Sequence, residues 1–407
     1  MRTLLISAYA CEPLKGSEPG VGWNWILQMA KHNKLHIITR ANNQVSIELH
    51  LPKDVSHNIT FHYYDTHRLI LGLKDKAIGL YFYYFCWQLG IISLIKKLKQ
   101  QHNFDYSMHL TFGSIWLPTF LPLFRIPFIW GPIGGGEGIP IPFLSKLPLK
   151  DRFIQTLRYV FKYLIYINPF VVFLSYNAVS IIVRTNNTLN IIPLVFRSKT
   201  KVFLETSMED SIFTYKKENK IKNKVIQLII TGRLVPFKNV IMAVKSLGQL
   251  PSNYDFNLKI IGSGPEMNRI KNEICFLKLS DKVHFVEETT RNNILDELSK
   301  SDIYLFPSLR EGGTWALMEA MAIGLPVICL DWSGMEIITD DKSAIKIPVT
   351  SPEQMTEEMA KGISKLIDNP LLRERMGAAG RKRIKYEYNW EAKGVFIENL
   401  LNELDKK

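Results

Sequence analysis

A chain of 407 residues, 46% of them hydrophobic, is too long for one ordinary core, because domains usually hold about 100–200 residues; two are expected, and a disordered or low-complexity chain is excluded. Lys and Arg number 51 against 38 acidic residues, a formal charge of +13, which favours anionic partners such as phosphates, nucleic acid or an acidic membrane surface without choosing among them. The four cysteines, Cys11, Cys86, Cys275 and Cys329, show no CxxC or CxxH spacing, so neither a zinc site nor a disulfide framework is indicated and a reducing cytosol fits.

The opening MRTLLISAYAC mimics a signal segment in its AYA-Cys ending. Its apolar run of about seven residues is short for a signal core and leads into a glycine loop, so it reads as a first β-strand. The next residues, CEPLKGSEPGVGW at 11–23, hold Gly16, Gly20 and Gly22 and read as a loop open to close phosphate approach. Short β-branched runs then alternate with longer amphipathic stretches: KLHIITR, ITFHYYD, DYSMHLT, PFIWGP and VSIIVRT. That alternation is the signature of βα units on a mostly parallel sheet. His109 stands at the end of DYSMHLT; a lone histidine is usually structural, and its position at a strand end is what makes it a candidate. A second glycine-rich turn, WGPIGGGEG, occupies 130–138.

Two stretches carry a membrane reading beside a core reading. IGLYFYYFCWQLGIISLI, 78–95, holds no charge and is flanked by Lys76, Lys96 and Lys97, nearly enough for a span, while the βα pattern on both sides favours a buried or cleft-facing helix. KLPLKDRFIQTLRYVFKYLIYINPFVVF, 146–173, alternates cations with large aromatics over a helix length. An interfacial helix needs that pattern, and solvated charges over a core stripe would also produce it.

A lysine-rich stretch, TYKKENKIKNK at 214–224, interrupts the pattern before a fresh series of strand-like runs: VIQLIITGR, NLKIIGSG, KVHFVEE, SDIYLFPS and LPVICLD. The expectation is an α/β chain with a Rossmann-like domain over 1–208, to which 388–407 returns, and a second over 209–387. Ligands of such sheets bind at the carboxyl ends of strands, so two facing domains imply a cleft.

Three strand ends in the second series carry chemistry. In IITGRLVPFKNV, 229–240, Gly232 closes a strand and Arg233 and Lys238 follow on a loop, where two cations could meet a diphosphate; surface charges at a loop are the ordinary alternative. GSGPEMNRI, 262–270, turns through Gly262 and Gly264 into a helix, and is not the GxGxxG dinucleotide fingerprint. In EGGTWALMEAMAIGLPVICLD, 311–331, Gly312 and Gly313 precede a helix N-terminus that favours an anion. Glu311 stands before that turn and Glu319 in the helix beyond it; carboxylates accept hydrogen bonds from sugar hydroxyls. Such a pair suits a molecule with hydroxyls at both ends and a charged middle, the form of a nucleotide sugar. No Asp-x-Asp occurs, so the metal-dependent way of holding such a molecule is not indicated.

Taken together these residues resemble family 4 retaining glycosyltransferases of GT-B fold, of the group 1 type, over nearly the whole chain. FPSLREGGTWALMEAMAIGLPVI is similar to that family's signature of two glutamates separated by seven residues with a trailing EAMA-G-PV, and TGRLVPFKN and GSGPE precede it in the family order. The resemblance implies that Glu319 holds the ribose hydroxyls, that Glu311 with the amides of Gly313 and Thr314 holds the donor sugar, and that Arg233 and Lys238 bind the diphosphate. It further implies that Gly20 and Gly22 form a first-domain loop beneath it, and that His109 lies near the transferred sugar. Gly313, Thr314 and Trp315 stand where the family signature usually has an aromatic and a glycine, and Glu287 where many relatives have glycine near the base.

The activity so implied is transfer of a sugar, with retention, from a nucleoside-diphosphate sugar as co-substrate, without metal or further cofactor. The acceptor is expected to be a saccharide, lipid-linked or membrane-proximal, in bacterial surface polysaccharide assembly, and the chain cytoplasmic and peripheral at an anionic inner membrane face. A nucleotide-sugar 2-epimerase on the same fold and a non-catalytic membrane-associated nucleotide-binding scaffold are the alternatives; no fold signature supports nucleic acid.

Overall fold

A computed structural model describes residues 1–67, 70, 72, 77–218, 225–287 and 289–406. Lys76 and the end of the lysine-rich stretch, 219–224, lie outside the described residues. The chain divides into two compact units, one of Met1–Gly136, Lys162–Glu205 and Trp390–Lys407, the other of Glu137–Phe161 and Thr206–Asn389.

In the first unit the strands are β1 Arg2–Ser7, β2 Asn33–Arg40, β3 Ile59–Tyr64, β4 Tyr106–His109, β5 Phe128–Ile133, β6 Ala178–Val183 and β7 Thr200–Val202. They form one sheet in the order β3-β2-β1-β4-β5-β6-β7, parallel at every pairing. The opening residues are therefore a central strand, with Leu4, Leu5 and Ile6 fully buried.

Residues 78–95 fall within the helix Ala77–Gln101. Its Tyr83, Tyr84, Trp87, Ile91 and Ile95 are fully buried in a core that includes Leu5, Tyr9 and Trp130. The polar atoms of those aromatics are satisfied within the unit: the Tyr84 hydroxyl donates to the Pro118 carbonyl at 3.0 Å and the Trp87 indole to that of Tyr64 at 3.0 Å. One face of the charge-free stretch thus belongs to the core, while Tyr81, Phe82, Phe85 and Leu89 are exposed. Among the described residues no single helix is long and apolar enough to cross a membrane, and one bent pair, Leu149–Ile167 with Pro169–Asn177, has that length and composition only when its two parts are joined.

The C-terminal helix Trp390–Leu404 packs on the helix Ser17–Ala30 of the first unit. Arg2 on β1 fastens it through ion pairs to Glu398 at 3.2 Å and Asp405 at 2.7 Å. Beneath it Lys393 is 1% exposed, with Nζ 4.3 Å from the ring centroid of Phe203, which stacks on Phe396.

In the second unit the strands are β8 Ile226–Thr231, β9 Phe256–Ile261, β10 Val283–Val286, β11 Ile303–Phe306, β12 Val327–Leu330 and β13 Ala344–Ile347. They form a second all-parallel sheet, ordered β10-β9-β8-β11-β12-β13. The segment 137–161 belongs to this unit, which corrects the expected first domain of 1–208. It is held there by polar contacts with residues far ahead in the chain: the Trp332 indole donates to the Gly138 carbonyl at 2.9 Å, and Lys146 pairs with Glu353 at 2.9 Å. Two strands, β7 and β13, have no counterpart in the runs read from sequence. Each has three or four residues and closes one edge of its sheet, where a strand needs little apolar content.

Burial lowers the pKa of Lys393 to about 7, against a smaller opposing effect of Glu205. The unfolded chain then holds a proton that the native chain has lost between pH 7 and the ordinary lysine range, so this residue makes stability rise with pH across that window. The melting temperature of the first unit should accordingly climb from pH 7 toward pH 10, and Lys393→Met should flatten the climb in differential scanning calorimetry.

Candidate functional site

The order of the second sheet reverses direction at β8, with β9 on one side and β11 on the other. Loops leaving β8 and β11 at their carboxyl ends therefore diverge and open a crevice, the usual place for a ligand in an open α/β sheet. Those are the two loops that carry Arg233, Lys238 and Glu311.

After β8 the chain passes Gly232 and Arg233 into the short 3-10 turn Pro236–Lys238, and Asn239 in the left-handed region starts the helix Val240–Leu247. Lys238 crosses to the β11 loop and pairs with Glu311, Nζ to Oε1 at 2.5 Å. The Ser308 hydroxyl donates to the same oxygen at 2.6 Å. Glu311 is thus fixed on both sides, and its backbone carbonyl accepts from the Gly334 amide at 3.1 Å and the Ser333 hydroxyl at 2.5 Å. Arg233 is exposed and makes no ion pair among the described residues.

Gly312 and Gly313 are where the turn meets its neighbours: a Cβ at Gly313 would lie 2.3 Å from the Thr206 hydroxyl oxygen, and Gly312 O is pressed against Gly334. Thr314, 5% exposed, caps the helix Trp315–Ile323 without a side-chain hydrogen bond, and Gly324 ends it in the left-handed region. Glu319 lies on this helix, 8% exposed, and accepts from the Arg291 guanidinium at 2.7 Å. Burial pushes its carboxyl pKa up and Arg291 opposes the shift. Both glutamates act on the phenol of Tyr304 from β11, whose pKa is raised chiefly by burial and further by their charges. Glu311 thus stands in the loop before the glycine turn and Glu319 on the helix after it.

After β9, Gly262 and Gly264 take φ of +141° and +154°, and a Cβ on either would stand 2.1 Å from the Gly232 carbonyl oxygen and 2.4 Å from that of Leu234, respectively. The β9 loop is therefore pressed directly onto the β8 loop, and only glycine permits it. A cavity of about 460 Å³ exists elsewhere in this unit, lined by residues such as Phe143, Leu147, Ile241 and Met242, and none of the candidate residues lines it.

The first-unit candidates are placed differently from expectation. Gly20 and Gly22 are not in a loop but in the first turns of the helix Ser17–Ala30. Ser17 and Glu18 begin the helix and Pro19 is tolerated in its first turn, while the glycines let the preceding loop lie on it: a Cβ at Gly22 would stand 2.2 Å from the Ala10 carbonyl oxygen. His109 does end β4, where it is 1% exposed, and burial lowers its pKa to about 4 against a contact with the Phe112 backbone, so it is neutral at neutral pH. Ser308 and Arg291, which position the two glutamates, were not singled out from the sequence. Ser308 could have been, three residues before Glu311; Arg291 lies 28 residues before Glu319 and gives no local signal. Among the described residues no group of three or more His, Cys, Asp or Glu side chains is disposed to hold a metal ion.

Residues 211–383 match the family model described as glycosyl transferases group 1. They belong to that family. The chain is 32% identical over 185 residues to an uncharacterized glycosyltransferase of Haemophilus influenzae, an alignment covering 45% of this chain and 50% of that one. The matched parts span about half the length of the curated relatives. A glycosyltransferase from Rickettsia africae ESF-5 superposes with a TM-score of 0.62 at 14% identity, covering 100% of this chain and 99% of that chain. Alr3699/HepE of Anabaena, solved in complex with UDP and glucose, does so with a TM-score of 0.55 at 12% identity, covering 99% of this chain and all of that one. Two parallel Rossmann-like sheets in this order, with full-length likeness of this kind, make the fold GT-B. The group 1 domain coincides with the sheet that carries Lys238, Glu311 and Glu319.

Gly262→Ala and Gly264→Ala should each lower the stability of the group 1 domain by about 1–3 kcal/mol, read from thermal or urea unfolding, because the β9 loop must then lift from the β8 loop.

Proposed function

We propose that this chain is a retaining, metal-independent glycosyltransferase of the hexosyltransferase kind, moving a sugar from a nucleoside-diphosphate sugar to a saccharide acceptor that is lipid-linked or close to a membrane. The observation that carries the reading is the meeting of Lys238 and Glu311 at the switch point of a group 1 domain. Arg233, exposed beside them, and Lys238 supply two positive charges for a diphosphate; Glu311 and Glu319 supply hydroxyl acceptors on either side of the glycine turn. The UDP and glucose bound by HepE have the chemistry this arrangement requires.

In the proposed step the donor's anomeric carbon loses its bond to the diphosphate while the acceptor hydroxyl approaches from the same face. The leaving β-phosphate takes the acceptor's proton, and Arg233 and Lys238 stabilise the charge that develops on it. Their charge takes the role that a divalent cation plays in metal-dependent enzymes, so no metal and no further cofactor enters. Lys238 must exchange Glu311 for phosphate oxygens as the donor arrives, which frees that carboxylate for the sugar. His109, neutral at neutral pH, could only donate or accept a hydrogen bond and would not bring a positive charge to the transferred sugar. The proposed setting is the cytoplasmic face of a bacterial membrane, in assembly of a surface polysaccharide.

A panel of UDP- and GDP-sugars in the presence of EDTA, read by thermal shift and by release of nucleoside diphosphate, tests this. One donor should raise the melting temperature, and Lys238→Ala and Arg233→Ala should each weaken its binding by about tenfold or more. Silence toward every donor, or a response that needs a metal, would return the chain to the epimerase or scaffold readings.

A further inference from the structure

A helix on the surface of a folded unit normally turns its apolar stripe inward and its charges outward. The helix Leu149–Leu164 instead leaves its apolar stripe outside. At 3.6 residues per turn, Leu149, Phe153, Leu157, Val160 and Leu164 fall within about a quarter of its circumference. They face solvent: Leu149 is 80% exposed, Phe153 66% and Val160 54%. The opposite side holds the helix to its unit by polar contacts. Arg152 donates to the Leu144 carbonyl at 3.1 Å, the Tyr159 hydroxyl to that of Ile139 at 2.6 Å, and Gln155, the residue this helix buries, accepts from Arg310 at 3.5 Å.

The apolar stripe needs an apolar partner, and the charges beside it say which. Lys150, Arg152, Arg158 and Lys162 stand against one acid, Asp151, over the length of the helix. Two copies meeting through this face would bring like charges together, so self-association is disfavoured. The sixteen residues reach about 24 Å and carry four cations, too short and too charged to span a bilayer. The combination of an exposed apolar stripe and two exposed cations, Lys150 and Arg158, matches the boundary between acidic headgroups and acyl chains.

We infer that the helix Leu149–Leu164 is a membrane-docking element that lies in the plane of a bilayer rich in anionic lipid, its Phe153 side in the acyl boundary and the exposed Lys150 and Arg158 among the headgroups. The inference deepens the membrane-proximal reading of the acceptor and rests on it for why docking serves the chain, but attachment is measured without sugar transfer.

The test is co-sedimentation of the full chain with vesicles of phosphatidylcholine alone or with about a third phosphatidylglycerol. The wild type should sediment with the acidic vesicles and much less with the neutral ones. Phe153→Asp combined with Val160→Asp should reduce partitioning by about tenfold or more, since it removes the buried apolar area. Lys150→Glu with Arg158→Glu should reduce it by about fivefold per cation, and on acidic vesicles only. All four positions are exposed, so both variants should keep the wild-type melting temperature, which separates lost docking from lost folding. A wild type that ignores acidic vesicles, or double variants that bind them as the wild type does, would overturn the inference. So would a wild-type dimer in sedimentation velocity that Phe153→Asp disperses, because the face would then belong to a second copy. Vesicle binding that persists in a chain unresponsive to every nucleotide sugar would uphold docking while removing the transferase reading.

Discussion

The site in the second unit depends on one pairing, that of β8 with β11. Because β9 takes the other side of β8, the chain leaves these neighbouring strands in opposite directions, and the space between their loops is open at the strand ends. Residues 73 positions apart in sequence thereby meet as the ion pair of Lys238 and Glu311. The glycines around it follow from the same constraint. Gly262 and Gly264 let the β9 loop rest on the β8 loop, and Gly312 and Gly334 let the β12 loop hold the backbone of Glu311. Replace the sheet order and each of these contacts loses its partner.

The charges at the site are arranged in a half-compensated state. Lys238 and Glu311 neutralise each other, and so do Arg291 and Glu319, while Arg233 stands exposed and unpaired among the described residues. A carboxylate as buried as Glu319 would be costly to keep charged without a cation, and the rise that burial imposes on its pKa is opposed by Arg291.

The rest of the molecule shows the same preference for settling polarity before apolarity. The helix Ala77–Gln101, free of charge over residues 78–95, buries Tyr83, Tyr84 and Trp87 and satisfies the Tyr84 hydroxyl and Trp87 indole within its own unit, while Tyr81, Phe82 and Phe85 stay exposed. The helix Leu149–Leu164 is fastened by its polar side and leaves its apolar side outside. Both are rich in aromatics, and composition alone cannot tell a core stripe from an interfacial one, since the same side chains serve in each. What separates them is which face the neighbouring backbone carbonyls can reach.

Much was legible from the sequence because it is encoded locally. The βα alternation, the strand ends at Gly232 and Gly262, the glycine turn before a helix and the two glutamates flanking it all depend on propensities and spacings within a dozen residues, and the family signature lies in one unbroken stretch. Local reading failed where a distant segment decided the outcome. Gly20 and Gly22 look like a loop, yet they are helical because the backbone at Ala10 and Lys15 packs across them. Segment 137–161 precedes the apparent domain boundary, yet Trp332 and Glu353 capture it for the second unit. The strands β7 and β13 exist only because a sheet edge was available to three or four residues. The sequence by itself determined the class of fold, the family of the second unit and which residues could carry charge to a ligand. Tertiary structure alone decided which of those charges face one another, that Arg291 and Ser308 hold the glutamates, and which side of residues 149–164 meets the solvent, because each is a matter of contact between segments that share no local pattern.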